Sequence, residues 1–409
     1  AGHPDQHVTR ALTTEHPLQP FSRAYFPQAN GLQPEPDSPP RPLEDILRER
    51  HLFTYEQEWR SAHGGQPDET GQAALPWQPP EEPITFADLA AFLKRPVETF
   101  FQRRLQVRFE GVDADDTDNE NFDLNGLDRW RLDNELIGEA VLKAEDDDEF
   151  QHRIHTTLDR MARRGDLGMG LTEHRLRSEL AERLPDLHGR YRQALTEWPE
   201  ALAEPVTFQL TATGDLGSVE LLDLIDGLRA GPGGEFCRLV VSRSSLLSGS
   251  GSTRKVRYAN LMADWVIHLA GQLTETPFTT LILGKEEKRN ITFKPLPPEQ
   301  ARTHLEAILG GWMLATTRAL PLHCEAAFAW IYSFYQSRKY RGDHDRAIED
   351  AVAAYDTALQ RDTGYLRSAF ETPEQLVNAA FEGWLHQLYL PLWEAEQDKT
   401  AAEQIGGDA

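Results

Sequence analysis

Cysteine is scarce: Cys237 and Cys324 are the two thiols in 409 residues, too few for a disulfide framework or a cysteine-rich zinc site. Both sit in apolar surroundings that suit buried thiols, so a reducing, cytoplasmic compartment is expected. No apolar run approaches the roughly 18 to 20 residues that cross a bilayer, and the N-terminus lacks a charged-then-apolar leader. No membrane partner is expected. Positive charge is also in deficit, since 42 Lys plus Arg against 66 Asp plus Glu leave a net charge of −24. Phosphate neutralisation supplies nearly all sequence-blind affinity for DNA, so the surface as a whole cannot adhere to nucleic acid. A local basic groove is still compatible with the composition.

Familiar chemical motifs are missing as well. There is no Gly-x-Ser-x-Gly elbow, no His-Glu-x-x-His helix and no repeat with a period of about 20 to 50 residues. Gly249 opens a stretch resembling a phosphate loop, but Arg254-Lys255-Val256 stands where Gly-Lys-Ser/Thr is required. The acids between Asp113 and Asp123 lack the turn glycine and closing glutamate of a calcium loop. The chain opens on Ala1 and not Met, so a longer parent chain is expected.

What is present is the length and patterning of two or three units at about 150 residues each. Residues 1–83 are rich in proline and read as an arm or linker. Thr85 and Asp88 have N-cap spacing before Phe86, Leu89 and Leu93, and helical patterns then run through a helical subdomain, 84–204. From Val206 the period switches to strand type. The spacing predicts strands over Val206–Thr213, Ser218–Leu224, Phe236–Ser242, Phe278–Leu283 and Arg289–Phe293, with a helix over Val256–Leu273 between the third and fourth. Helices over Glu299–Leu320, His323–Arg338, Arg346–Leu359 and Pro373–Glu394 follow, completing an α/β core over 205–395 before a frayed tail, 396–409. A mixed sheet flanked by helices is predicted, and regular βαβ alternation is not.

The most informative stretch is Leu221-Leu222-Asp223-Leu224-Ile225-Asp226-Gly227, followed after a glycine-rich turn by Cys237-Arg238-Leu239-Val240-Val241-Ser242-Arg243-Ser244. Read as a hairpin, it resembles the PD-(D/E)XK nuclease core, where adjacent strands bring two carboxylates to one magnesium and a lysine two residues on positions the attacking water. Asp226 fits the first acid. Ser242 and Ser244 stand at the positions of the second acid and the lysine, and neutral hydroxyls cannot replace them, so a hairpin of this type is expected to be silent. Basic groups that could wall a DNA channel are Arg103, Arg104 and Arg108; Arg254, Lys255 and Arg257; and Arg338, Lys339, Tyr340 and Arg341, where a stackable ring sits among positive charges.

Further tracts occur in collinear order. They are His16-Pro17-Leu18-Gln19-Pro20-Phe21-Ser22 with Tyr25-Phe26, Ile84-Thr85-Phe86-Ala87-Asp88-Leu89, Phe100-Phe101-Gln102-Arg103-Arg104-Leu105, Phe122-Asp123-Leu124-Asn125-Gly126-Leu127, and Gly311-Trp312 with Thr316-Thr317-Arg318-Ala319-Leu320-Pro321-Leu322. In these the chain resembles the C-terminal part of exodeoxyribonuclease V gamma subunits, the RecC family. The resemblance implies a PD-(D/E)XK-like α/β core with its catalytic residues lost, no metal of its own, and a place beside beta and alpha subunits that use ATP and magnesium. It implies a scaffold that conducts and separates DNA strands. An active magnesium nuclease pairing Asp226 with Glu220 or Asp223, and an interaction module without DNA contact, are the alternatives.

Overall fold

The spacing of Thr85 and Asp88 produces the cap it predicts. In this computed structural model, the Asp88 amide donates to Thr85 Oγ1 and the Thr85 amide donates to the Asp88 carboxylate. The structure describes residues 74–109, 126–168, 170–249, 254–286, 288–337, 339–362 and 364–405. The acidic stretch 113–123 and most of the proline-rich arm lie outside them.

The cap opens α1 (Phe86–Lys94), which buries Phe86, Leu89, Phe92 and Leu93. Pro96 starts α2 (Pro96–Thr99), which widens into a π-helical turn, Phe100–Arg104. Next come α3 (Gly126–Leu136), continued by a π turn at Ile137–Val141, α4 (Asp147–Arg163), α5 (Leu171–Ala181) and α6 (Leu184–Glu197). Leu132, Leu136, Phe150, Ile154 and Leu158 of these helices share one core with Leu239, Val241 and Leu281 of the sheet.

That sheet has five strands in the order β1-β4-β5-β8-β9: β1 (Glu200–Ala201), β4 (Leu228–Ala230), β5 (Phe236–Val241), β8 (Phe278–Leu283) and β9 (Asn290–Phe293). Only β5 and β8 run parallel, and α7 (Met262–Gly271) makes the crossover between them. Strand alternation divides β5 between two cores: Leu239 and Val241 face the α3–α6 layer, while Phe236 and Val240 face a larger core with α1, α7 and the later helices. The architecture is therefore a mixed sheet between helical layers. In it, α1 packs with the second half of the chain, although it lies next to α3–α6 in sequence.

Strands β2 (Val206–Gly214) and β3 (Gly217–Ile225) form a separate antiparallel ribbon. Its turn closes at Gly217, where φ is +140° and an added Cβ would come within 2.9 Å of the Trp77 indole nitrogen. Phe208, Ala212, Val219 and Leu221 are buried, and Leu222 and Leu224 are exposed on the opposite face. This corrects the expected hairpin. Leu221–Ile225 pairs with β2, and the partner of β5 is the short β4, because Gly227 at φ +71° breaks the strand.

After β5 come β6 (Leu247–Ser248) and β7 (Lys255–Val256), a short antiparallel pair, and a 3₁₀ turn at Tyr258–Asn260. The helix expected from Val256 therefore begins six residues later, at Met262. Beyond the sheet lie α8 (Pro298–Ala315), α9 (Cys324–Ile331) with a π turn at Tyr332–Gln336, α10 (His344–Gln360) and α11 (Tyr365–Ala369). The predicted Pro373–Glu394 helix is broken into α12 (Pro373–Leu376), α13 (Ala379–Leu388) and the start of α14 (Leu390–Ile405). Asn378 causes the first break by capping α13 with its side chain. The tail expected to fray from residue 396 is helical as far as Ile405, and Glu396 is buried.

Candidate functional site

Two polar regions are candidates. The first lies at the β4–β5 junction. The β4–β5 register sets Leu228 opposite Arg238, which carries Asp226 past the end of β4 to the side of β5 on which Arg238, Val240 and Ser242 alternate. Asp226 is 82% exposed on its side chain. Its nearest charged partner is Arg238 Nη2 at 3.8 Å. Arg238 itself is buried and donates through Nη1 to Asp264 Oδ1 at 2.7 Å, on the first turn of α7. Ser242 is buried, its amide donates to the Leu283 carbonyl at 2.9 Å, and its hydroxyl donates to the Ser244 carbonyl at 2.8 Å.

The acids considered as helpers for Asp226 are engaged elsewhere. Asp223 accepts from the Phe86 amide at 2.8 Å at the start of α1, and Glu220 accepts from Gln209 on the ribbon. Among the described residues, no cluster of three His, Cys, Asp or Glu side chains could hold a metal ion. The thiols are poor nucleophiles: burial pushes Cys237 and Cys324 each up to about 12. Burial likewise pushes His268 down to about 4. Its Nε2 donates to the Lys294 carbonyl and its Nδ1 accepts from Thr280 Oγ1, both at 3.0 Å.

The second region is a cleft of about 920 Å³. Its walls come from elements far apart in sequence: the end of α1, the β6–β7 pair with the following 3₁₀ turn, α9, the residue after α10, and α14. Among the described residues, six cations line it, namely Lys94, Arg254, Lys255, Arg257, Arg289 and Arg361, against two carboxylates, Glu325 and Glu396. Glu396 is neutralised in place, since Arg289 Nη2 lies 2.8 Å from its Oε1 and the Tyr258 hydroxyl donates to its Oε2 at 3.0 Å. Aromatic rings complete the lining. Phe328 stacks on Tyr258 at 4.2 Å, and the ammonium of Lys255 lies 4.2 Å from the centre of the Tyr332 ring, which is 37% exposed.

The three basic groups picked from sequence thus have different fates. Arg254, Lys255 and Arg257 line the cleft. Arg103 is ion-paired with Asp88 of the α1 cap, Arg104 donates to the Pro76 carbonyl at 2.8 Å, and Arg108 is exposed away from the cleft lining. Lys339 rests on its neighbour Tyr340, with the ammonium 4.8 Å from the ring, and Arg341 is exposed; neither lines the cleft, and Arg338 lies outside the described residues. Sequence reasoning missed Lys94, Arg361 and Tyr332. The usable signal was that two of the three end a helix, where the macrodipole favours a cation.

A family model described as the RecC C-terminal domain matches residues 81–335. The chain is 25% identical over 345 residues to the RecBCD enzyme subunit RecC of Escherichia coli strain K12, an alignment covering 83% of this chain and 26% of that protein. It is 41% identical over 56 residues to the RecBCD enzyme subunit RecC of Haemophilus influenzae, covering 14% of this chain and 5% of that relative. The chain thus spans about a quarter of the Escherichia coli protein, and less of the other.

Proposed function

The chain belongs to the RecC C-terminal domain family, and on that premise we propose that it is a non-catalytic scaffold and DNA-channel domain of a helicase–nuclease that processes double-strand ends for recombinational repair. In this reading the beta and alpha subunits, RecB-like and RecD-like, supply the motors and the active nuclease, together with the ATP and magnesium those use. The α/β core is read as PD-(D/E)XK-like, with the strand–crossover–strand unit β5–α7–β8 and the short β4 beside it in support.

The observation that carries the non-catalytic reading is the guanidinium of Arg238 between Asp226 and Asp264. A hard divalent cation needs several anionic oxygens. Here one exposed carboxylate faces a fixed positive charge 3.8 Å away, and the hydroxyl of Ser242 is spent on the Ser244 carbonyl. The residues present do not fit magnesium. The purified chain with magnesium or manganese is expected to leave linear DNA intact; robust cleavage that disappears in Asp226→Ala overturns the reading.

A further inference from the structure

We propose that the cleft walled by the β6–β7 pair, α9 and the end of α10 binds a short run of single-stranded nucleic acid, its phosphates on the cleft arginines and one base on Tyr332. This rests on the DNA-contact part of the reading above and gives that contact a site. In a chain of net charge −24, among the described residues six cations here face two carboxylates, and Lys94, Arg254, Lys255, Arg257 and Arg361 form no ion pair. Like charges collected in a concave wall repel one another and focus a positive potential outward, and a polyanion relieves the repulsion. Of the two carboxylates, Glu396 is already taken by Arg289 and Tyr258, which leaves Glu325 against five unpaired cations.

The aromatic lining selects the strand state. A base can stack on the exposed Tyr332 ring only when its face is free, which an unpaired strand provides and a duplex does not. Lys255 covers the ring without ligand; an incoming phosphate draws the ammonium away and opens the ring to the base. A mononucleotide fits less well, because the cations come from several separate elements and not from the successive backbone amides of one phosphate loop.

The test is fluorescence anisotropy of the full chain with a labelled oligothymidylate of about 15 nucleotides, titrated at several salt concentrations. Arg257→Gln with Arg361→Gln is expected to weaken binding at least tenfold and to flatten the salt dependence of log K by about 1.4, roughly 0.7 for each phosphate no longer neutralised. Tyr332→Ala is expected to cost about tenfold and Tyr332→Phe almost nothing. Unaltered thermal melting guards against misfolding. Binding untouched by these changes but abolished on replacing Lys339 and Arg341 overturns the cleft and leaves the DNA-contact reading standing. Preference for a matched duplex over the single strand overturns the proposal, and no binding to either strand form overturns the cleft together with DNA contact by this chain. None of these outcomes bears on the nuclease assay, which tests the non-catalytic reading separately.

Discussion

Arg238 and the arginines of the cleft carry the same charge in opposite settings. Arg238 is buried, hydrogen-bonded to Asp264 and within ion-pair reach of Asp226, so its charge is spent inside the molecule. Arg254, Arg257 and Arg361 are exposed and share a wall with other cations, so their charge is available to a ligand. Burial and partners decide whether a cation is framework or contact, and residue type does not.

The largest effect that would sharpen this contrast is on the buried side. Arg238→Ala strands Asp264 in a mostly buried position, and urea unfolding should show a loss of about 3–5 kcal/mol. Asp264→Asn in the same background should recover part of it. A loss under about 1 kcal/mol would mean that water reaches the pair and that the two regions differ less than their burial implies.

Histidine extends the comparison to pH. His268 and His323 are each held down to about 4 by burial, below an unfolded value near 6.5. Between those values the unfolded chain binds more protons, so their contribution is complete above about pH 6.5 and is lost as pH falls toward 4, on the order of 3 kcal/mol for each group. His344 runs the other way: its exposed ring is hydrogen-bonded to Glu382, which raises its pKa. Unfolding measured from pH 7.5 to 4.5 should show the fall, and His268→Gln should flatten it; a profile unchanged by that substitution would dissociate His268 from the acid sensitivity.

The smallest effects belong to surface cations. Arg103→Ala removes an exposed pair with Asp88 and should change stability by less than about 1 kcal/mol, with single-strand affinity unaltered. A large drop in affinity in that variant would move the nucleic-acid contact away from the cleft.

Local periodicity is legible in the sequence, and pairing is not. Phe278–Leu283 has the bounds its alternation predicts, because β-branched and aromatic residues between turn signals report on a strand directly. Local pattern misassigns the partner of β5 because Asp223 and Asp226 lie on one apparent run, while Gly227 redirects the chain and leaves Leu221–Ile225 to β2. Ser242 and Ser244 are recognisable as poor ligands from residue type alone; the bonded guanidinium beside Asp226 depends on α7 crossing back with Asp264, which no local pattern contains. The cleft is only partly legible for the same reason. Arg254, Lys255 and Arg257 are neighbours in sequence, whereas Lys94, Tyr332 and Arg361 reach it only through tertiary packing.

Glu396 gives the final helix an importance that its position near the end of the chain conceals. Its carboxylate ties α14 to Tyr258 and Arg289 in the lining of the basic cleft. Trimming the polypeptide at residue 395 as a dispensable tail would strip the acid from under those two groups, leave an uncompensated arginine, and alter the recess whose occupancy is to be measured. Shortened versions should therefore keep α14 through Ile405, or they will report on a damaged hollow.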